Sequence, residues 1–133
     1  MAQGFFLDSN ANNISLINNT ARNNTGHGFN FSTSINNTVF TNFAYGNVLV
    51  GFSVGKDSNN NNFTNNTAFN NSQGFYLFKN DNNSLRNNTL SNNTDMGLNL
   101  TLIFNMSLTN NTIRNNTNYN LLLISLPMDV KPP

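Results

Sequence analysis

Apolar residues recur along this chain in short alternating bursts, each opened by a glycine and closed by asparagines. Gly4-Phe5-Phe6-Leu7, Gly28-Phe29-Asn30-Phe31, Gly51-Phe52-Ser53-Val54, Gly74-Phe75-Tyr76-Leu77 and Gly97-Leu98-Asn99-Leu100 begin blocks 24, 23, 23 and 23 residues apart. A degenerate sixth word, Asn120-Leu121-Leu122-Leu123, arrives on the same beat. Within a block, Phe75 and Leu77 fall on one face of a short strand and Tyr76 on the other. Single apolar residues then stand between polar neighbours at Leu85 and Leu90, and the next block repeats this with Leu108 and Ile113. Three very short strands per ~23 residues describe one rung of a triangular, all-β solenoid, in which each rung buries its apolar edge against its neighbours. A helical solenoid needs longer runs of period 3.6 and usually ~30 or more residues per repeat.

The asparagines then acquire a mechanical reason. Asn and Gly tolerate the left-handed backbone of a sharp corner. Stacked one per rung, ~4.8 Å apart, Asn side chains also hydrogen-bond up the axis. The expected columns are Asn18, Asn42, Asn65, Asn87, Asn110 and Asn23, Asn47, Asn70, Asn92, Asn115, read to within one position. The predicted core starts aromatic and turns aliphatic, with Phe5, Phe29, Phe52, Phe75, Leu98 and Leu121 in one column and Leu7, Phe31, Val54, Leu77, Leu100 and Leu123 beside it. A one-residue slip at Leu16 and Phe63 predicts a bulged middle strand in coils one and three. The expected organisation is five coils and a partial sixth over 1–124, with 125–133 as a C-terminal tail or cap.

Composition narrows the function by exclusion. Only 8% of residues are charged and the net charge is +1. The six basic residues are scattered from Arg22 to Lys131 rather than clustered, which argues against a nucleic-acid partner. Without cysteine, thiolate metal sites, disulfides and Cys nucleophiles are excluded. No segment approaches the ~20 apolar residues of a membrane span. Met1-Ala2-Gln3 leads straight into the first repeat with no secretory leader, so the expectation is a mature or excised piece of an extracellular or cell-surface protein.

The repeat Gly-aromatic-x-Leu … Asn-Asn-x-Leu-x-x-Asn-Asn-Thr-Leu-x-x-Asn-Asn, carried over residues 4–124, resembles the parallel β-helix repeats of NosD-like and pectate-lyase-like proteins, including Asn-rich surface proteins. The resemblance implies a right-handed three-sided parallel β-helix. Its motif is structural and transfers no activity.

The chemical-looking words fare poorly. Gly26-His27-Gly28 and Asn93-Thr94-Asp95 occur in polygalacturonases, which resemble this fold, but here their order is reversed and about three coils separate them. Glycosidic hydrolysis needs two carboxyls within ~5–10 Å. The chain has no glutamate and five aspartates, of which Asp57 and Asp81 are predicted at nearly equivalent positions of adjacent coils. Two carboxylates fall short of the six to eight oxygens calcium takes. Copper, suggested by the NosD resemblance, finds only the lone His27 and dispersed methionines. The expectation is therefore no catalytic residue, no metal and no cofactor. Asn-x-Ser/Thr sequons abound, and here they follow from a ladder Asn placed before a β-favouring Thr. Thr67, Thr89, Thr94, Thr112 and Thr117 sit beside corners rather than forming a flat ice-binding array.

Two surface features remain. Phe6, Tyr76 and Phe78 point outward from the first strand of their blocks, a face that forms the sugar cleft in enzymes of similar fold, and are candidates for stacking on polysaccharide. Phe5 and Phe29 at one end, and Leu102, Ile103, Phe104 and Leu126 towards the other, are candidate assembly or cap surfaces. The sequence thus predicts a non-enzymatic structural or binding module that associates end to end or belongs to a longer β-helix. The alternative is a carbohydrate-active fragment (lyase, hydrolase or epimerase-like) or a carbohydrate-binding module.

Overall fold

The computed structural model describes residues 1–125. Each coil contributes three strands. Coil one holds β1 (Phe5–Leu7), β2 (Ser15–Ile17) and β3 (Thr20–Arg22), and coil two β4 (Phe29–Phe31), β5 (Thr38–Phe40) and β6 (Phe43–Tyr45). Coil three holds β7 (Val50–Val54), β8 (Asn62–Thr64) and β9 (Thr67–Phe69), and coil four β10 (Gln73–Phe78), β11 (Ser84–Arg86) and β12 (Thr89–Ser91). Coil five holds β13 (Met96–Thr101), β14 (Ser107–Thr109) and β15 (Thr112–Arg114), and β16 (Tyr119–Ile124) opens the sixth. Equivalent strands pair in parallel as three sheets: β1-β4-β7-β10-β13-β16, β2-β5-β8-β11-β14 and β3-β6-β9-β12-β15. This is the predicted three-sided parallel β-helix. Among the described residues there is no helix, and so none long and apolar enough to cross a membrane.

The core follows the predicted columns. Phe5, Phe29, Phe52 and Phe75 stack with ring centroids 4.7, 4.7 and 4.5 Å apart. Phe63 enters from the second sheet and meets Phe31 and Phe75 edge-on, at 5.3 and 5.4 Å. Face and edge packing together fill the triangle with rings, each pair adding ~0.5–1.5 kcal/mol beyond burial. The third sheet answers with small residues, Ala21, Ala44 and Ala68, all buried. That is why a glycine precedes each aromatic. A Cβ on Gly28 would lie 2.7 Å from Gly51 O and 3.1 Å from Ala44 Cβ, and one on Gly51 2.8 Å from Gly74 O. The constraint is crowding between coils; the only glycine in the left-handed region is Gly46, at φ 64°.

The slip resolves differently from expectation. β2, β5, β8 and β11 stay in unbroken register through Leu16, Val39, Phe63 and Leu85, so no middle strand is bulged. The extra residue sits in the first corner: nine positions separate Leu7 from Leu16 and Val54 from Phe63, against eight from Leu77 to Leu85. A turn absorbs an insertion without moving any ladder pair, whereas a strand would lose one.

At most corners the asparagines come in adjacent pairs with separate tasks. The first of each pair is exposed and left-handed, as at Asn18, Asn65, Asn87 and Asn110, with φ between 53° and 57°. The second points inward and forms the ladder. Asn42 Nδ2 donates to Asn66 Oδ1 (3.1 Å), Asn66 Nδ2 to Asn88 Oδ1 (3.1 Å) and Asn88 Nδ2 to Asn111 Oδ1 (3.0 Å). The third corner runs likewise through Asn24, Asn47, Asn71, Asn93 and Asn116. Of the predicted ladder, only Asn42 and Asn47 lie in the hydrogen-bonded columns. Asn18, Asn23, Asn65, Asn70, Asn87, Asn92, Asn110 and Asn115 lie one residue earlier, on the left-handed outside. A further ladder, Asn37-Asn61-Asn83, closes the first corner.

Candidate functional site

Among the described residues, the outer face of the first sheet carries the longest run of polar side chains bonded to one another across coils; elsewhere they meet as single pairs, as where Arg22 Nη1 donates to Tyr45 Oη (3.3 Å) on the third sheet. Its central column runs Phe6, Asn30, Ser53, Tyr76, Asn99 and Leu122. A second outward column precedes the glycines and runs His27, Val50, Gln73, Met96 and Tyr119. Between these columns a hydrogen-bonded strip crosses three coils. Asn118 Nδ2 donates to Asp95 Oδ1 (2.7 Å) and Gln73 Nε2 to Asp95 Oδ2 (3.3 Å). Asn99 Nδ2 donates to Gln73 Oε1 (3.3 Å), and Thr101 Oγ1 donates to Asn99 Oδ1 (3.0 Å). Asn99 is 8% exposed. Two neutral amides, of Asn118 and Gln73, therefore hold one carboxylate, Asn99 and Thr101 extend the chain of bonds, and the whole strip is oriented before any ligand arrives.

Tyr76 and Phe78 stand beside this strip on β10, with ring centroids 6.1 Å apart and planes 24° from parallel. Lys79 Nζ lies 5.2 Å from the centre of the Phe78 ring, a cation–π contact. Partial burial raises the Tyr76 pKa, which keeps the phenol protonated and able to donate. Phe6, the third predicted aromatic, is exposed on β1. It stands three coil-to-coil steps from Tyr76, ~14 Å at the strand spacing, so the structure does not bring it to the pair.

His27 is half-buried on the same face, and its Nδ1 accepts the Val50 N–H at 3.3 Å. Desolvation lowers its pKa, and accepting at Nδ1 fixes the neutral tautomer with the proton on Nε2. It stands three coils from Asp95, so the two words that resemble a polygalacturonase do not meet. Asp57 and Asp81 are also apart in register: Asp57 N donates to Lys79 O, while Asp81 N donates to Asn59 Oδ1. The extra residue of the first corner in coil three offsets them, which corrects the predicted near-equivalence. Among the described residues no three His, Asp or Glu side chains cluster as metal ligands.

The candidate assembly residues scatter. Phe29 is fully buried and Phe5 covers one of its faces, so Phe29 offers no surface. Ile103 packs against the core, while Leu102 and Phe104 line a pocket of about 290 Å³ with Lys79 and Asp81, on the flank at the first corner. Leu126 lies outside the described residues, as does the rest of the predicted tail beyond Ser125. In the final coil Leu121 and Leu123 are 48% and 65% exposed.

A larger trough, about 550 Å³, runs along the outer face of the second sheet past Thr38, Phe40, Asn62, Thr64 and Arg86. It is wider but holds no network between side chains of different coils, and it brings one charged group. The first-sheet strip is the better-built site. Sequence reading found Tyr76 and Phe78 by their outward parity and missed Gln73, Asp95 and Asn99. Their one signal was polar residues in slots filled elsewhere by Val50 and Leu122.

A stacked triangular solenoid with a long, partly polar outer sheet defines the class: a parallel β-helix. The chain belongs to the family described as right handed beta helix region, whose profile matches residues 2–118. Two solved structures share the fold. The A-module of a mannuronan C-5 epimerase from Azotobacter vinelandii superposes with a TM-score of 0.86 at 22% identity, over 91% of this chain and 35% of that one. A periplasmic alginate epimerase, solved as a point mutant, gives a TM-score of 0.75 at 19% identity, over 94% of this chain and 36% of that one. The chain spans about a third of the length of either. A search of curated protein sequences gives no match.

Proposed function

We propose that this chain is a carbohydrate-binding β-helix segment of an exported protein, of the NosD-like or pectate-lyase-like type, which holds a polysaccharide along the first sheet without cleaving it. The observation that carries the reading is the preorganised strip Asp95-Gln73-Asn99-Thr101 beside the Tyr76–Phe78 pair. Amides, a hydroxyl and one carboxylate offer donors and acceptors to sugar hydroxyls, and an aromatic edge covers the apolar face of a ring. Both solved structures of similar fold are alginate epimerases, which favours a uronate polymer as the first ligand to try. Chemistry on such a polymer needs an acid and a base flanking one carbon. On this face Asp95 is engaged by two amides, and His27 is three coils away.

The test is titration calorimetry with oligomannuronate, oligoguluronate, oligogalacturonate and a neutral glucan. Binding to at least one is expected, weakened roughly tenfold by Tyr76→Ala, about 1.4 kcal/mol. Absence of binding at millimolar oligosaccharide, or binding untouched by Tyr76→Ala combined with Asn99→Ala, sinks the reading. Epimerised or unsaturated uronate in the same mixtures, followed by proton NMR, replaces it with the enzymatic one.

A second reading, association through the coil ends, rests on the exposed Leu121 and Leu123 of the last described coil. Light scattering across a concentration series tests it, and a mass that stays monomeric throughout removes it.

A further inference from the structure

The sequons follow a rule that the fold makes visible. Twelve of the fifteen corners in coils one to five read Asn-x-Ser/Thr, and in every one the acceptor is the outer, left-handed Asn. The first corner contributes Asn13, Asn36, Asn82 and Asn105; the second Asn18, Asn65, Asn87 and Asn110; the third Asn23, Asn70, Asn92 and Asn115. All twelve are exposed. None of their side-chain nitrogens donates a hydrogen bond, whereas the inner ladder amides are engaged at both ends. The reading frame thus never offers a ladder Asn at a corner.

The hydroxyl two residues on has no comparable structural task. Thr94 and Thr117 reach Asn71 O and Asn93 O at 3.5 and 3.4 Å, and Thr25 Oγ1 accepts from Ala2 N; the other nine make no bond within the described residues. Four of the twelve are serine, which strand propensity does not explain. The same slot also accepts Phe43 and Val48, and those two follow Thr41 and Gly46, the left-handed residues that stand where the other second and third corners have asparagine. Among the left-handed corner asparagines, Asn10 and Asn60 lack the hydroxyl, being followed two residues on by Asn12 and Asn62. Where the acceptor is missing, the hydroxyl is missing with it.

From this pairing we propose that the outer corner asparagines are N-glycosylation sites, so that three rows of sugar run along the edges of the triangle. In the transfer, the corner Nδ2 attacks the anomeric carbon of an activated, lipid-linked sugar phosphate. A C–N bond forms, the C–O bond to phosphate breaks, phosphate leaves with the electron pair, and the amide proton passes to a base of the transferase. Coils lie ~4.8 Å apart, too close for a branched glycan on every rung, so occupied corners within a row alternate. The three sequons outside corners, Asn30, Asn62 and Asn99, serve as internal controls, with Asn99 buried.

The experiment is secretion of the chain from an N-glycosylating host, followed by peptide mapping after enzymatic sugar release, which turns each glycosylated Asn into Asp. Conversion at several corner positions and none at Asn99 is expected. A sugar-free chain, while a sequon-bearing secreted control from the same cells carries sugar, overturns the proposal, as does conversion at Asn99 as frequent as at the corners. The triple variant Thr67→Val, Thr89→Val, Thr112→Val should lose the sugar at Asn65, Asn87 and Asn110. After sugar release, it should melt at the same temperature as the similarly treated parent. A marked drop in that melting temperature would show that the hydroxyls serve the fold, and would remove the basis of the proposal.

Discussion

Two asparagines stand side by side at almost every corner, and they answer to different forces. The inner one is a polar group buried against the core. Asn66 is 1% exposed, donates to Val39 O at 2.8 Å and to Asn88 Oδ1, and accepts from both nitrogens of Asn42. The outer one, Asn65, touches nothing comparable and is there for its backbone, at φ 57°. One residue type is thus selected twice, once for four hydrogen bonds and once for tolerance of a left-handed turn. Composition alone cannot distinguish a ladder from a row of turns, because here they are interleaved.

Substitutions separate the two columns by size of effect. Asn66→Ala should be the most damaging, about 3 kcal/mol, because it strands the buried Asn42 N–H without a partner inside the protein and breaks the ladder to Asn88; urea unfolding measures it. Asn65→Ala should cost only about 1 kcal/mol, the penalty of a Cβ in the left-handed region, and Asn65→Gly close to nothing. If Asn65→Ala proves as costly as Asn66→Ala, the division of labour is wrong. Thr41 is the outer residue at a corner where asparagine is usual, and a β-branched side chain at φ 54° is strained. Thr41→Asn should therefore stabilise, by about 0.5–1 kcal/mol, seen as a rise in urea midpoint.

The smallest expected effect concerns His27, which accepts the Val50 N–H as a ladder amide does but, unlike an amide, is titratable. Its folded pKa is depressed by burial, so between that value and its ordinary pKa, about 6.5, the unfolded chain binds more protons than the folded one. Stability then rises with pH across that window. The contribution is complete above about pH 6.5 and is lost as pH falls through the folded pKa. His27→Gln should flatten this slope in urea melts between pH 4 and 7, since glutamine keeps an acceptor and does not titrate; an unchanged slope would assign it to another group.

The sheets, the aromatic stack and the coil number were legible because each rests on a residue type repeated in one slot. Phe5, Phe29, Phe52 and Phe75 announce themselves by spacing. Which of Asn65 and Asn66 turns inward was not legible, since the two letters are identical and only the direction of the side chain separates them. The glycine requirement was also hidden, because the atom that a Cβ on Gly28 would strike belongs to Gly51, one coil away. The polar strip escaped for a related reason. Gln73 and Asn99 occupy different slots in different coils and meet on a diagonal that no single column records.

The second corner is the shortest joint in the molecule. Only Asn18 and Asn19 separate β2 from β3, and the interval from the inward residue of one strand to that of the next is five positions in all five coils, from Leu16–Ala21 to Leu108–Ile113. The first corner alternates between eight and nine, and the third between seven, at Ala68–Phe75, and eight. The first and third edges therefore accommodate a change of loop length within this chain, and the second shows none. Inserts that decorate the first and third edges would leave the second with an unbroken backbone, a straight edge on which the row Asn18, Asn65, Asn87 and Asn110 keeps its spacing.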